Sequence, residues 1–331
     1  MSDGHLYFHS PCFDGIVSAV LISDFFRVRR QWKDIALHGV NYHRREKWLG
    51  TRLLQPAIVV DFLYHPSADF WVDHHSTTFL TPQLRSDFRG HADDSHVFDP
   101  TAKSCARLLW NHLQHAFSYR NTQFEELVTW ADKTDSADYE SASEAIFGDS
   151  PALRIVRGLG LDDDHRHCQQ LVHLLGTKPL AEVADLPAVR ERYKRAVEQT
   201  SAGLVRFEQK NDEGRPAIVL IDDGIAVFDV DGRGVNINRY SPFHFFPQAR
   251  YSLGIVRSED GAKITAMRNP WLEFASVSLG SIFEKVGGGG HPRVGSVVLD
   301  GERATAANEI QRQILNEMLR VEQGHREEQE S

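Results

Sequence analysis

Three short apolar runs in the first quarter of the chain each stop abruptly at a side chain able to bind metal. Leu6-Tyr7-Phe8 ends in His9, Ala57-Ile58-Val59-Val60 ends in Asp61, and Phe70-Trp71-Val72 ends in Asp73-His74-His75. Short continuous apolar runs bounded by polar residues predict strands that deliver their last residues into a polar cleft. After the first of them, Ile16, Val17, Val20 and Leu21 recur at helical spacing behind Asp14-Gly15. A strand is predicted near Ala36 to Tyr42, and helices over Ser104 to Phe117 and Thr122 to Asp132, while the polar text from Leu80 to Pro100 predicts a loop. Such β-α-β alternation predicts a parallel sheet, and sites in open sheets of that kind form at the carboxyl ends of the strands.

Further along, Tyr139 to Lys178 reads as helical. Pro187 then opens a helix with Val189, Tyr193, Ala196, Val197 and Leu204 on one face. Strands are predicted at Ala217–Ile221, Tyr251–Val256, Lys263–Met267 and Gly295–Leu299, and helices over Phe274–Val286 and Thr305–Val321, with the tail Glu322–Ser331 expected to be disordered. Between a helix and a strand lies Gly287-Gly288-Gly289-Gly290-His291, where the missing side chains let main-chain donors approach an anion closely. A chain of 331 residues is too long for one typical core. The expected architecture is α/β in two domains: a parallel-sheet domain over 1–185, a linker helix over 186–215 and a smaller α/β domain over 216–331.

Composition narrows the function. Hydrophobic and charged fractions of 41% and 25% are ordinary globular values. No apolar run approaches the roughly 20 residues of a membrane-crossing helix, and Met1 to His5 lacks the start of a signal peptide. With only Cys12, Cys105 and Cys168, widely spaced, a disulfide framework is not indicated, so a reducing, cytoplasmic setting without a membrane partner is expected. The formal net charge of -9 argues against a binder of long duplex nucleic acid, which needs a broad basic surface. The local basic clusters Arg27-Val28-Arg29-Arg30 and Arg44-Arg45-Glu46-Lys47 read as solvated helix faces.

His9, Asp14, Asp61, His74 and a downstream Asp supply mixed nitrogen and oxygen ligands. That mixture suits manganese or magnesium and, less specifically, cobalt or zinc. Two such ions about 3.5–4 Å apart would clamp an in-line displacement at phosphorus. A carboxylate must bridge them, and Asp61 is the natural bridge.

Taken in order, His9-Ser10-Pro11-Cys12-Phe13-Asp14-Gly15, Val60-Asp61, Asp73-His74-His75, Asp132-Lys133-Thr134-Asp135 and Gly287 to His291 resemble the DHH phosphoesterase superfamily. The glycine segment resembles its subgroup with the DHH-associated C-terminal domain, which includes nanoRNase and oligoribonuclease-like enzymes. The resemblance implies a manganese-dependent phosphodiesterase that cleaves short oligonucleotides or related nucleotides with a metal-activated water, magnesium or cobalt being alternatives to manganese. It implies that His9 binds one ion, that Asp14 and His74 bind the other, and that Asp61 bridges them. Asp135 or Asp132 would complete the second site. His75 would act on the scissile phosphate, and Arg268 with Gly288, Gly289, Gly290 and His291 would hold the substrate. Cys12 stands where many members carry an Asp, and is either a softer metal ligand or a bystander thiol. Two other readings are a hydrolase of a cyclic dinucleotide or nucleoside bisphosphate, and a nucleotide sensor whose first metal site decayed at Cys12. A homodimer is compatible with the sequence.

Overall fold

A computed structural model describes residues 2–89, 94–210, 214–221 and 224–330, without the side chains of residues 89, 291 and 325–330. The chain divides into two compact units, 1–138 with 149–195 and 139–148 with 196–331.

In the first unit, β1 (Gly4–His9), β2 (Ile35–Val40), β3 (Ala57–Val60), β4 (Phe70–Asp73) and β5 (His96–Phe98) form a sheet in the order β2-β1-β3-β4-β5. All four pairings are parallel. Alternate residues divide between two cores, as the pleat requires. Leu6, Phe8, Ile58, Val60, Phe70 and Val72 join the core beneath the helices, whereas Tyr7, Ala57, Val59 and Trp71 join the opposite one around Trp48, Phe62 and Tyr64. With both faces covered, these strands need apolar residues at every position, which is why they read as continuous runs. The indoles of Trp48 and Trp71 donate to the Leu63 and Phe62 carbonyls, both at 2.9 Å, so neither buried N–H lacks an acceptor.

The helix Phe13–Arg30 lies against the sheet and is buried from Phe13 through Phe26. Around it pack the helices Cys105–Phe117, Glu125–Asp135 and His165–Leu175. The stretch read as loop contains a helix, Pro82–Arg89, and the edge strand β5. Among the described side chains of that helix only Leu84 is buried, so its polar composition hid the helical period.

In the second unit, β6 (Ile218–Ile221), β7 (Ile225–Asp231), β8 (Tyr251–Arg257), β9 (Gly261–Arg268), β10 (Gly289–His291) and β11 (Val294–Asp300) order as β10-β11-β9-β8-β7-β6. Only β7 and β8 pair in parallel. Leu253, Ile255, Ile264 and Phe283 meet Ile314 and Met318 of the helix Ala307–Glu330 in one core. That helix continues through the tail expected to be disordered. Glu322 is buried and accepts two bonds from Arg250, at 2.8 and 2.6 Å, which ties down the start of that extension. The sequence order assigned Tyr139–Gly148 to the first domain, but this segment packs in the second unit. The Tyr139 carbonyl takes the Trp271 indole N–H at 2.7 Å, and Phe147 lies edge-on to His244. The unit boundary falls between Arg195 and Ala196, inside the helix Pro187–Glu208. No helix among the described residues is long and apolar enough to cross a membrane.

Candidate metal centre

β1, β3 and β4 are neighbours in the sheet, so their carboxyl ends deliver His9, Asp61 and the Asp73-His74-His75 segment to one place. Asp61 follows β3 with φ 55°, a left-handed conformation that Asp tolerates better than most residues. Its N–H bonds the Val72 carbonyl at 2.9 Å, which locks the turn and leaves the carboxylate wholly buried. Oδ2 lies 3.4 Å from His9 Nδ1, while Oδ1 lies 3.6 Å from His75 Nδ1 and 3.8 Å from His74 Nε2. None of these closes a hydrogen bond. His9 Nδ1, His74 Nε2 and both Asp61 oxygens are buried without a partner among the described residues. Leaving a buried donor or acceptor unsatisfied costs about 1–3 kcal/mol each. Four such atoms converging on one point fit a bound cation.

On the other side of His74, the ring Nδ1 lies 3.1 Å from the Ala102 carbonyl, which can only accept. Nδ1 therefore carries a proton, and Nε2 faces Asp135 Oδ2 at 3.2 Å and Asp14 Oδ2 at 3.7 Å. Asp14 accepts the Cys105 and Ala106 amides, at 2.7 and 2.8 Å, at the start of the helix Cys105–Phe117. Gly15 is required beside it, because a Cβ there would stand 2.1 Å from the His9 carbonyl oxygen and 3.1 Å from Asp61 Oδ2. The donor atoms form three overlapping sets, His9–Cys12–Asp61, Asp61–His74–His75 and Asp14–His74–Asp135, each within 4.8 Å of one another.

Asp132 is not in the cluster. Its oxygens take bonds from Ser104 Oγ at 2.7 Å and Arg107 Nε at 2.8 Å, so Asp135 is the carboxylate turned toward His74. Asp73, quoted above in the Asp73-His74-His75 motif but given no role of its own there, orders the turn. Its Oδ1 accepts the His74 and His75 amides and lies 2.8 Å from His75 Nδ1. Its place at the end of an apolar strand was the available signal. Tyr42, whose ring meets His9 edge-on at 5.0 Å, gave none.

Electrostatics follow from this crowding. Burial and the Asp135 charge push Asp14 up to about 6. Burial, with Asp14, Asp73 and Asp135 adding, pushes Asp61 well above the carboxylate range; the nearby Cys12 thiol opposes this without meeting hydrogen-bond geometry. Burial and the facing His75 hold His9 down at about 3. Burial works against a charged His75 as well, but the hydrogen bond and charge of Asp73 outweigh it and hold this imidazole at about 9. Burial and the carboxylates of Asp61, Asp135 and Asp14 push the Cys12 thiol far up. Asp14 and Asp61 are thus held above the ordinary carboxylate range, a strain that a shared cation would relieve.

The residues assigned to substrate lie in the second unit. Arg268 is buried at the end of β9, with its guanidinium donating to the Asn269 carbonyl at 2.9 Å and the Phe274 carbonyl at 3.2 Å. It also stacks 4.3 Å from the Phe274 ring centre. Two of the four glycines answer to the β10–β11 hairpin itself. A Cβ at Gly288 or Gly290 would come within 2.4 or 2.1 Å of the Ser296 or Val294 carbonyl oxygen, whereas Gly289 faces open space. The side chain of His291 lies outside the described residues. A cavity of about 640 Å³ lined by Phe25, Phe26, Trp32 and Phe70 opens at the amino ends of β3 and β4, away from the clustered ligands.

No family model and no curated protein matches the chain. Solved structures do. The pGpG-specific phosphodiesterase PggH from Vibrio cholerae superposes with a TM-score of 0.69 at 19% identity, over 95% of this chain and 99% of its own. An exopolyphosphatase-related protein from Bacteroides fragilis gives 0.51 at 12% identity, over 97% and 94%. RecJ from Thermus thermophilus in complex with Mn2+ gives 0.53 at 13% identity, over 96% of this chain and 52% of its own. The chain has the fold of the DHH phosphoesterase superfamily.

Proposed function

We propose that the protein is a divalent-metal-dependent phosphodiesterase that hydrolyses short oligonucleotides, down to 5′-phosphorylated dinucleotides. The observation that carries this reading is the convergence of partnerless buried atoms, His9 Nδ1, Asp61 Oδ1 and Oδ2 and His74 Nε2, beside Asp14 and Asp135. His9 and Asp61 would hold one ion, and Asp14, Asp61, His74 and Asp135 the other. Ions held there would acidify a water and neutralise charge gathering on the phosphate oxygens. Manganese or magnesium suits the carboxylate-rich donors, and RecJ from Thermus thermophilus has been solved with each.

His75 supplies the proton chemistry in this reading. Asp73 fixes its Nδ1 at 2.8 Å and favours its charged form. A protonated ring at neutral pH can donate to a phosphate oxygen and lend its proton to the departing one. The nucleotide side of the substrate is assigned to Gly288, Gly289, Gly290 and His291, with Arg268 bracing the adjacent turn. The name of the PggH neighbour, a pGpG-specific enzyme, favours a linear dinucleotide as the smallest substrate.

The test is a hydrolysis screen with manganese, magnesium, cobalt and zinc over linear dinucleotides, longer single strands, cyclic dinucleotides and nucleoside bisphosphates. The reading expects mononucleotide release from the short linear members, and none from Asp61→Asn. Turnover confined to cyclic or bisphosphate compounds would replace the substrate class. Binding without turnover under any metal would make the protein a sensor.

A further inference from the structure

We propose that the two metal positions are chemically unequal, and that the one beside His9 takes its ion through the thiolate of Cys12. The inference rests on the two-metal reading above and concerns only which atoms and which ion fill the first position. Its donor set is His9 Nδ1, Cys12 Sγ and an Asp61 oxygen, all within 4.8 Å of one another. The second observation is independent of the thiol: among the described residues, His9 Nδ1 and both oxygens of the wholly buried Asp61 have no hydrogen-bond partner. Without sulfur, this position has one imidazole and a carboxylate that it shares. The other position has His74 with Asp14, Asp135 and the same Asp61, a set dominated by hard oxygen.

The backbone supports sulfur as a ligand. Cys12 is the extended residue that leads into the 18-residue helix Phe13–Arg30, and its side chain makes no cap bond to that helix. Cys12 is partly exposed, which leaves an approach for an exchanging ion. Thiolate beside imidazole selects softer divalent ions such as zinc or cobalt, whereas carboxylate-rich sets suit manganese and magnesium. The centre is therefore built for two different ions, a soft one at His9–Cys12–Asp61 and a hard one at Asp14–Asp61–His74–Asp135.

Cobalt is the probe, because a sulfur–cobalt bond adds a charge-transfer absorption in the near ultraviolet that oxygen and nitrogen ligands do not give. Chelator-stripped full-length protein is titrated with cobalt alone as wild type, Cys12→Ser and Cys12→Asp, and bound metal is counted by mass spectrometry. The wild type is expected to bind two ions per chain and to show the sulfur band for one of them. Both variants should lack the band, and Cys12→Asp should still bind two ions. In zinc–manganese competition, Cys12→Asp should shift the first position toward manganese by about tenfold or more. Because zinc outcompetes manganese at most sites, the change between variants is the readout, not the absolute preference. Two cobalt ions without a sulfur band in the wild type would overturn the proposal and leave the two-metal reading standing. No bound metal in any variant would overturn both.

Discussion

Asp61 puts a carboxylate in the worst place for a charge, wholly buried with the Asp14 and Asp135 carboxylates close by, and its oxygens have no hydrogen-bond partner among the described residues. Asp61→Asn keeps the shape and removes the charge. It should lower turnover by at least about a hundredfold, as removal of a transition-state contact does. Yet the metal-free variant should be more stable than metal-free wild type at neutral pH, which thermal unfolding in chelator measures. A metal-free variant that unfolds at lower temperature would contradict the crowded-anion account. Adding manganese should stabilise only the wild type strongly, by about 2.7 kcal/mol at a hundredfold excess over the dissociation constant.

His75 gives a test with a definite sign. Its folded-state value is raised from 6.5 to about 9, so the stability it contributes is complete below pH 6.5 and is lost as pH rises through about 9. In chelator, the gap in urea midpoint between wild type and His75→Ala should shrink over that window. A gap that stays constant would mean the Asp73 contact does not control the ring. Residue types at the site were legible because strand ends in His and Asp are conspicuous. The choice between Asp132 and Asp135 was not, since only the distant Ser104 and Arg107 draw Asp132 away.

At the scale of elements, strands buried on both faces announce themselves as unbroken apolar runs, which made β1, β3 and β4 readable. β5 has three residues and partial burial, too little to carry a period, and β7 carries Asp229 and Asp231 within its alternation. The approach of the helix Phe13–Arg30 to the end of β1 depends on Gly15. Gly15→Ala would drive a methyl against the His9 carbonyl and should destabilise the fold by about 1–3 kcal/mol while weakening metal binding. Calorimetry of manganese binding beside a denaturant curve separates the two effects; unchanged metal affinity would show that the helix can move aside. Arg268 read as a substrate contact, but its buried guanidinium satisfies two carbonyls. Arg268→Ala should therefore lower stability by about 1–3 kcal/mol, whatever it does to the Michaelis constant. A variant as stable as wild type would restore the direct-contact role.

On the scale of the whole chain, the order of motifs predicted two domains but could not show that Tyr139–Gly148 packs with residues beyond Ala196, since this depends on Trp271 and His244 far along the chain. Net charge was legible at once and bears on substrate size. A chain of net charge -9 offers little reward to phosphates beyond those at the metal centre, so extra length should add little counterion-release affinity. The most direct measurement is the initial rate of mononucleotide release with manganese, on single strands from two nucleotides upward at two ionic strengths, for wild type and Asp61→Asn. The account predicts a maximum at about two to five nucleotides, a shallow salt dependence expected of few phosphate contacts, and no release by the variant. A rate that climbs steadily with length under a steep salt slope, or equal release by Asp61→Asn, would contradict it.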